Sequence, residues 1–189
     1  MKVILIGYRA TGKSTVGKLL SKKLNIPFLD TDHLIEKAAG MKIKKLIARE
    51  GWPEFRKREK EAIASIAEKD LCVVSTGGGA ILTEENRAFL KKMGVLICLK
   101  ASLRDIIERL NRDARVRQSR PQFTSEDLAA ETFAVLNERM PLYASVADVT
   151  IDTEGKSAVR VADEIYQYLL EAGAVFEIDK LKKMDKSNS

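Results

Sequence analysis

Short unbroken apolar runs alternate along this chain with longer stretches in which apolar positions recur every three to four residues. Val3 to Ile6, Leu71 to Val74 and Val95 to Leu99 are of the first kind, and runs of this length read as strands buried on both faces. A shorter strand is expected at Pro27 to Leu29 and a last one at Asp148 to Ile151. The second kind begins with Lys13 to Leu24, where Val16, Leu19, Leu20 and Leu24 keep helical spacing before Asn25 and Pro27 end it. Further helices are predicted over His33 to Ala39, Glu84 to Lys92, Ser102 to Leu110, Ser125 to Met140 with Pro141 as terminator, and Ser157 to Leu170. This alternation predicts an α/β fold: a central five-stranded parallel sheet flanked by helices on both faces.

The stretch between the second and third strands, about forty residues, exceeds a single crossover helix. Its helical pattern from Ile43 to Ala67 is broken by Gly51 and Pro53, which predicts a small helical lobe over about residues 32–62. Residues 1–173 are expected to form one domain, and 174–189, polar and charged after about Ile178, a flexible tail.

Composition narrows the function classes. At 189 residues and 45% apolar, the chain has enough material for one sizeable core. The net charge of +6 suits an acidic ligand, yet no aromatic residues interleave with the basic ones to make a base-stacking face, so nucleic acid is not the expected partner. No run is long enough to span a bilayer, and MKVILIG leads into a loop without a cleavable apolar region. Cys72 and Cys98 each lie inside an apolar run and read as buried reduced thiols of a cytoplasmic protein, with no disulfide or zinc site.

The first strand opens directly into Gly7 to Ser14, GYRATGKS. This GxxxxGKS pattern needs glycines where the backbone turns tightly or approaches a phosphate. Lys13 supplies a mobile cation for β and γ phosphates, Ser14 a hydroxyl for Mg²⁺, and the following helix presents its positive end.

Three further stretches fall at predicted strand ends or lobe centres. After the second strand come Asp30, Thr31 and Asp32; alternate side chains of an extended chain point apart. Asp30 therefore suits Mg²⁺ through its water shell and Asp32 a hydroxyl, while capping of the next helix is the alternative use for either. His33, the only histidine, reads as an exposed first-turn residue. In the lobe, Arg56 offers a planar fork that matches a carboxylate, and Glu59 one turn on can orient it. The third strand ends in Ser75, Thr76 and then Gly77, Gly78 and Gly79, where the backbone can come against a ligand. The arginine-dense segment RLNRDARVRQSRP carries Arg109, Arg112, Arg115, Arg117 and Arg120 with few apolar anchors. About residues 111–125 are thus expected to form a lid. Arg139 lies near the C-terminal end of the helix that follows.

Taken together, GYRATGKS, LDTD, EFRKRE, STGGG, SRP and ERMPLY resemble the shikimate kinase family of P-loop small-molecule kinases, over about Met1 to Leu170. The resemblance implies the P-loop NTPase three-layer fold and transfer of the ATP γ-phosphate to the 3-hydroxyl of shikimate, with ATP and shikimate as small-molecule partners, Mg²⁺ as cofactor and a monomer as the working unit. It places Ala10, Thr11, Gly12, Lys13, Ser14 and Thr15 on nucleotide phosphates, with Ser14 and Asp30 on the magnesium side. It places Asp32, Arg56, Arg139 and the Gly77 to Gly79 backbone on shikimate. Lys13, Asp32 and Arg120 would be the catalytic groups, Arg120 also reaching the phosphates, with Arg112 stacked on adenine and Arg115 the alternative. The chain departs from the family where Gln122 and Phe123 follow Arg120 and Pro121 in place of two leucines, and where Trp52 stands in a place often held by Glu. The alternatives are a kinase of another small hydroxy acid such as gluconate, which need not keep Asp32, Arg56 and Arg139 together, and a nucleotide-binding regulatory module without turnover.

Overall fold

The structure, a computed structural model, describes residues 1–112 and 128–187. Five parallel strands form one sheet in the order β2-β3-β1-β4-β5: β1 Lys2–Ile6, β2 Phe28–Asp30, β3 Cys72–Ser75, β4 Gly94–Lys100 and β5 Val149–Asp152. The most apolar strand, β1, is central, and every one of its residues is buried. Its alternate side chains serve two separate cores, as the period of two requires. Val3 and Leu5 pack with Val16, Leu20 and Leu24 of α1 (Lys13–Leu24). Ile4 and Ile6 face Ile63 of α3 (Ile43–Ser65) and Leu90 of α4 (Glu84–Met93). Ile106 of α5 (Leu103–Arg112) and Tyr143 of α6 (Leu128–Val146) complete that second layer.

The crossover between β2 and β3 contains α2 (Thr31–Ala39) and α3. At Gly51 the backbone leaves helical geometry (φ 79°, ψ 173°), and Pro53 lies just beyond, so the predicted break falls where the sequence puts it. Ile35, Ile43, Leu46, Ile47, Phe55 and Ala62 make a small core of their own there. α3 therefore serves two cores: Phe55 and Ala62 belong to the lobe, while Ile63 belongs to the layer under the sheet.

Two expectations are corrected. Pro141 does not end its helix: α6 continues through it to Val146, which buries Tyr143 and Val146 against the sheet. A proline removes one ladder hydrogen bond, and here partly buried Leu136 and Met140 before it and buried Tyr143 and Val146 after it pack on the same core and hold the helix together. The second concerns 174–189. Ala174–Ser187 is helix α8, which follows α7 (Ala158–Glu171), and its Ala174, Val175 and Ile178 are buried in the core that holds α1. Lys182 Nζ donates to the carbonyl of Leu24 at the end of α1 at 2.5 Å. Three apolar anchors at helical spacing suffice to dock a segment that is otherwise charged. The proposed lid falls mostly on 113–127, so Arg115, Arg117, Arg120, Gln122, Phe123 and the start expected for the next helix at Ser125 lie outside the described residues.

Candidate active site

The carboxyl edge of a parallel sheet is where an α/β fold can gather loops from several strands, and the functional candidates collect there. A cavity of about 720 Å³ is lined by Ala10, Gly12, Lys13, Ser14 and Thr15 after β1, by Asp30 at the end of β2 and by Asp32 just beyond it. Ser75 at the end of β3, Thr76 and Gly78 beyond it, and Arg109 and Arg112 of α5 line it as well. One sheet edge has thus brought together residues a hundred positions apart.

The phosphate loop is tightly seated. Gly7 has φ 134°, and a Cβ there would run into the carbonyl oxygen of Leu99 on β4, so no other residue fits. Ala10 also adopts positive φ, 61°, a costly conformation for a residue with a side chain. Lys13 is buried, and its ammonium donates to the carbonyls of Gly7 at 2.8 Å and Tyr8 at 2.7 Å. From the far side, Arg109 donates to Ala10 O at 3.3 Å and Thr153 Oγ1 at 3.1 Å while pairing with Asp105. Arg109 is thus a strut between α5, the phosphate loop and the turn after β5.

Asp30 uses both of its carboxylate oxygens, and one of them makes the helix cap that its sequence position allowed. Its Oδ1 accepts from the N–H groups of Asp32 at 3.0 Å and His33 at 3.4 Å, capping α2. Its Oδ2 accepts from Ser14 Oγ at 2.6 Å, and Ser75 Oγ lies 3.2 Å from the same hydroxyl. Asp32 stands in the first turn of α2 and His33 is exposed beside it. Among the described residues no cluster of three or more His, Cys, Asp or Glu is arranged to hold a metal.

The three glycines meet three different neighbours, and Gly78 lies between this cavity and α6. Gly77 N–H donates to Thr31 Oγ1 at 3.0 Å. Gly78 packs so closely on the phosphate loop that a Cβ would lie 3.3 Å from Arg9 N. Its carbonyl accepts from Arg139 Nη1 at 3.3 Å and from Tyr143 OH at 2.6 Å, two residues one turn apart on α6. Burial pushes the Tyr143 phenol far above its ordinary range, so it remains a donor. At Gly79 a Cβ would occupy the space taken by the Arg56 guanidinium.

Arg56 is fixed on three sides: it pairs with buried Glu59 at 2.5 Å and lies 5.4 Å from the Trp52 ring centroid and 5.2 Å from that of Phe55. Trp52 and Phe55 meet edge to face at 5.7 Å, so the departure at Trp52 reinforces the seat of Arg56. Arg112 lines the cavity but is itself exposed, paired with Glu108 one turn back. Sequence reasoning missed Thr31, Tyr143 and the strut role of Arg109. For Tyr143 a signal existed: it follows Arg139 by four residues, and so shares its helix face.

A profile of the family described as Shikimate kinase matches residues 9–170. The chain belongs to the shikimate kinase family. A shikimate kinase of Syntrophus aciditrophicus (strain SB) is 44% identical over 171 residues, covering 86% of this chain and 88% of that protein. Another from Thermodesulfovibrio yellowstonii is also 44% identical, over 163 residues, with 86% and 91% covered. In three dimensions the chain is similar to a shikimate kinase from Acinetobacter baumannii solved in complex with shikimate. That match has a TM-score of 0.84 and 34% identity over 90% of this chain and 93% of the other. Membership accounts for the joint presence of the phosphate loop, the Arg-bearing lobe and the triple glycine in one P-loop kinase fold.

Proposed function

We infer that this chain is an ATP-dependent shikimate kinase, forming shikimate 3-phosphate and ADP on the route to chorismate and aromatic amino acids. The observation that carries the reading is Gly78: one residue lines the cavity of the phosphate loop and accepts from Arg139, while its neighbour Gly79 abuts Arg56. A phosphate donor site and a pair of carboxylate-matching arginines therefore share a single wall.

The donor half rests on the backbone of Ala10 to Thr15 and on Lys13. Two neutral carbonyls hold the Lys13 ammonium, and a polyphosphate competes for it with full charge. Arg112 is assigned to the adenine ring. Arg120, outside the described residues, is assigned to the phosphates by resemblance alone. In the acceptor half, Arg56 and Arg139 take the carboxylate, Asp32 the hydroxyls, and the glycine backbone frames the ring.

Ser14 and Asp30 are the protein groups for Mg²⁺. Their chemistry fits: both offer oxygen atoms within one hydrogen bond of each other, and Mg²⁺ characteristically takes few protein ligands beside phosphates and water. Bound there, the ion would neutralise charge on the β and γ phosphates.

In the reaction, the shikimate 3-oxygen forms a bond to the γ-phosphorus as the bond to the bridging oxygen of ADP breaks. The hydroxyl proton passes to the Asp32 carboxylate that orients it, and from there to solvent. Phosphoryl transfer depends chiefly on positioning and charge stabilisation, so Asp32 acts by orienting the hydroxyl and Lys13 by holding charge. The assigned residues all come from one chain, so a monomer suffices. The cytoplasm, where the two buried thiols stay reduced, is the compartment that fits.

Coupled ADP release with ATP and Mg²⁺ tests the reading directly. Release is expected on adding shikimate and not on adding gluconate. Equal release with both, or none with shikimate, overturns it.

A further inference from the structure

We propose that Arg9 is a fixed cation of the phosphoryl-transfer site, held by Tyr8 and buried Glu131, and that it binds the phosphate of the transferred group and of the phosphorylated product. The inference rests on the kinase reading and adds to it a residue at the boundary of the two half-sites.

Arg9 lies inside the phosphate loop and lines the same cavity as Lys13, Ser14 and Asp32, yet its side chain is only 15% exposed. Its Nε donates to Tyr8 OH at 3.1 Å, and the guanidinium stands 5.5 Å from the Tyr8 ring centroid. Its Nη2 lies 3.6 Å from Glu131 Oε1, a carboxylate whose side chain is fully enclosed. Burying a carboxylate is costly unless a cation accompanies it, so Glu131 and Arg9 belong together. Glu131 is on α6, the helix that carries Arg139. The Arg9 backbone in turn faces Gly78, which joins the donor and acceptor halves.

This arrangement orients a planar, always-charged group before any substrate arrives. The phosphoryl group must pass, within the cavity that Lys13, Asp32 and Gly78 line together, from the Lys13 end toward an acceptor held by Asp32 and Arg139, and a cation anchored beside Gly78 stabilises it on the way and on arrival. Glu131 and Tyr8 are positioning residues for Arg9.

The test compares wild type with Arg9→Met, Arg9→Lys and Glu131→Gln. It measures kcat, both KM values, and the Kd of shikimate and of shikimate 3-phosphate by calorimetry without nucleotide. Arg9→Met is expected to weaken shikimate 3-phosphate about tenfold or more and lower kcat about tenfold, with shikimate affinity kept within about twofold. Arg9→Lys keeps the charge and recovers part of both losses, and Glu131→Gln falls between wild type and Arg9→Met. Should Arg9→Met not fold, the other two variants carry the same comparison. Unchanged product affinity and kcat with only a lower Tm would make Arg9 a strut between the loop and α6, and overturn the proposal. Equal loss of shikimate and shikimate 3-phosphate affinity overturns it too. Failure of the kinase reading itself would appear earlier, as wild-type protein inactive on shikimate.

Discussion

Ser14 Oγ donates to Asp30 Oδ2 at 2.6 Å, joining the first turn of the phosphate-loop helix to the end of strand β2. The other oxygen of the same carboxylate caps α2, so one side chain sets the relation between the donor loop and the start of the acceptor lobe.

These two uses separate by substitution. Asp30→Ala removes both and is expected to cost about 1–2 kcal/mol of stability through the lost cap, together with a large loss of turnover. Asp30→Asn keeps a capping oxygen but not the charge. It is expected to stay within about 0.5 kcal/mol of wild type, since Asn caps as well as Asp, while needing far more Mg²⁺ for half-maximal rate. Urea unfolding beside a Mg²⁺ titration checks this, and an unchanged Mg²⁺ requirement in Asp30→Asn would remove Asp30 from the metal side.

Arg56 and Gly79 should fail in the same way. Arg56→Ala removes a carboxylate partner, and Gly79→Ala pushes a methyl group into the place of the guanidinium. Both are expected to raise the KM for shikimate about tenfold or more, which corresponds to 1.4 kcal/mol or above, with ATP binding retained. A fluorescent nucleotide displacement assay decides it: collapse of ATP affinity in either variant would mean that Arg56 serves the donor side.

Helix α8 is expected to hold the phosphate-loop helix from behind. Ile178 is fully buried in the core shared with α1, so Ile178→Ala should cost about 2–5 kcal/mol. Deletion of residues 174–189 should lower the Tm by at least as much as Ile178→Ala does. Thermal melts of both variants provide the check, and a deletion as stable as wild type would reinstate the flexible tail.

The two thiols predict a pH effect. Burial pushes the Cys98 thiol up to about 11, partly offset by the Lys13 ammonium, and burial also raises Cys72. A raised acid is held neutral by the fold, so its contribution to stability is complete below the free-thiol value of about 8.5. That contribution declines as pH climbs from there through about 11. Alkaline melts of Cys98→Ala should therefore fall less steeply with pH than those of wild type. At pH 8, native protein should react slowly with a thiol reagent and show two reactive thiols only after unfolding. Rapid native labelling would contradict the buried assignment.

One substitution bears on the strained loop. Ala10 holds φ 61° within the phosphate loop, a conformation that costs an L-residue about 1–2 kcal/mol and glycine almost nothing. Part of that relief is lost to the greater freedom of glycine in the unfolded chain. Ala10→Gly is accordingly expected to raise stability by up to about 1 kcal/mol, measured by urea unfolding, and a destabilised variant would show that the strain is not stored there.

The sequence by itself determined the alternation of strands and helices, the phosphate loop, the break at Gly51 and Pro53, and the grouping of candidate residues at one sheet edge. Those features are local: a period of two or 3.6, a glycine at a turn, or a proline in a helix acts on its own neighbourhood, and the right-handed parallel crossover does the rest. It misjudged 174–189 because polar composition hid three apolar positions on one face, and Pro141 because flanking burial outweighed one missing hydrogen bond. Only the tertiary structure decided that Asp30 both caps α2 and accepts from Ser14, and that Gly78 joins Arg139 and Tyr143 to the phosphate loop. It alone paired Arg9 with Glu131, and tied Arg109 to Ala10 and Thr153. These contacts link residues far apart in the chain through single hydrogen bonds or ion pairs whose distances depend on how helices settle on the sheet. No periodicity encodes that, because side-chain pairing across elements is a property of the packed whole.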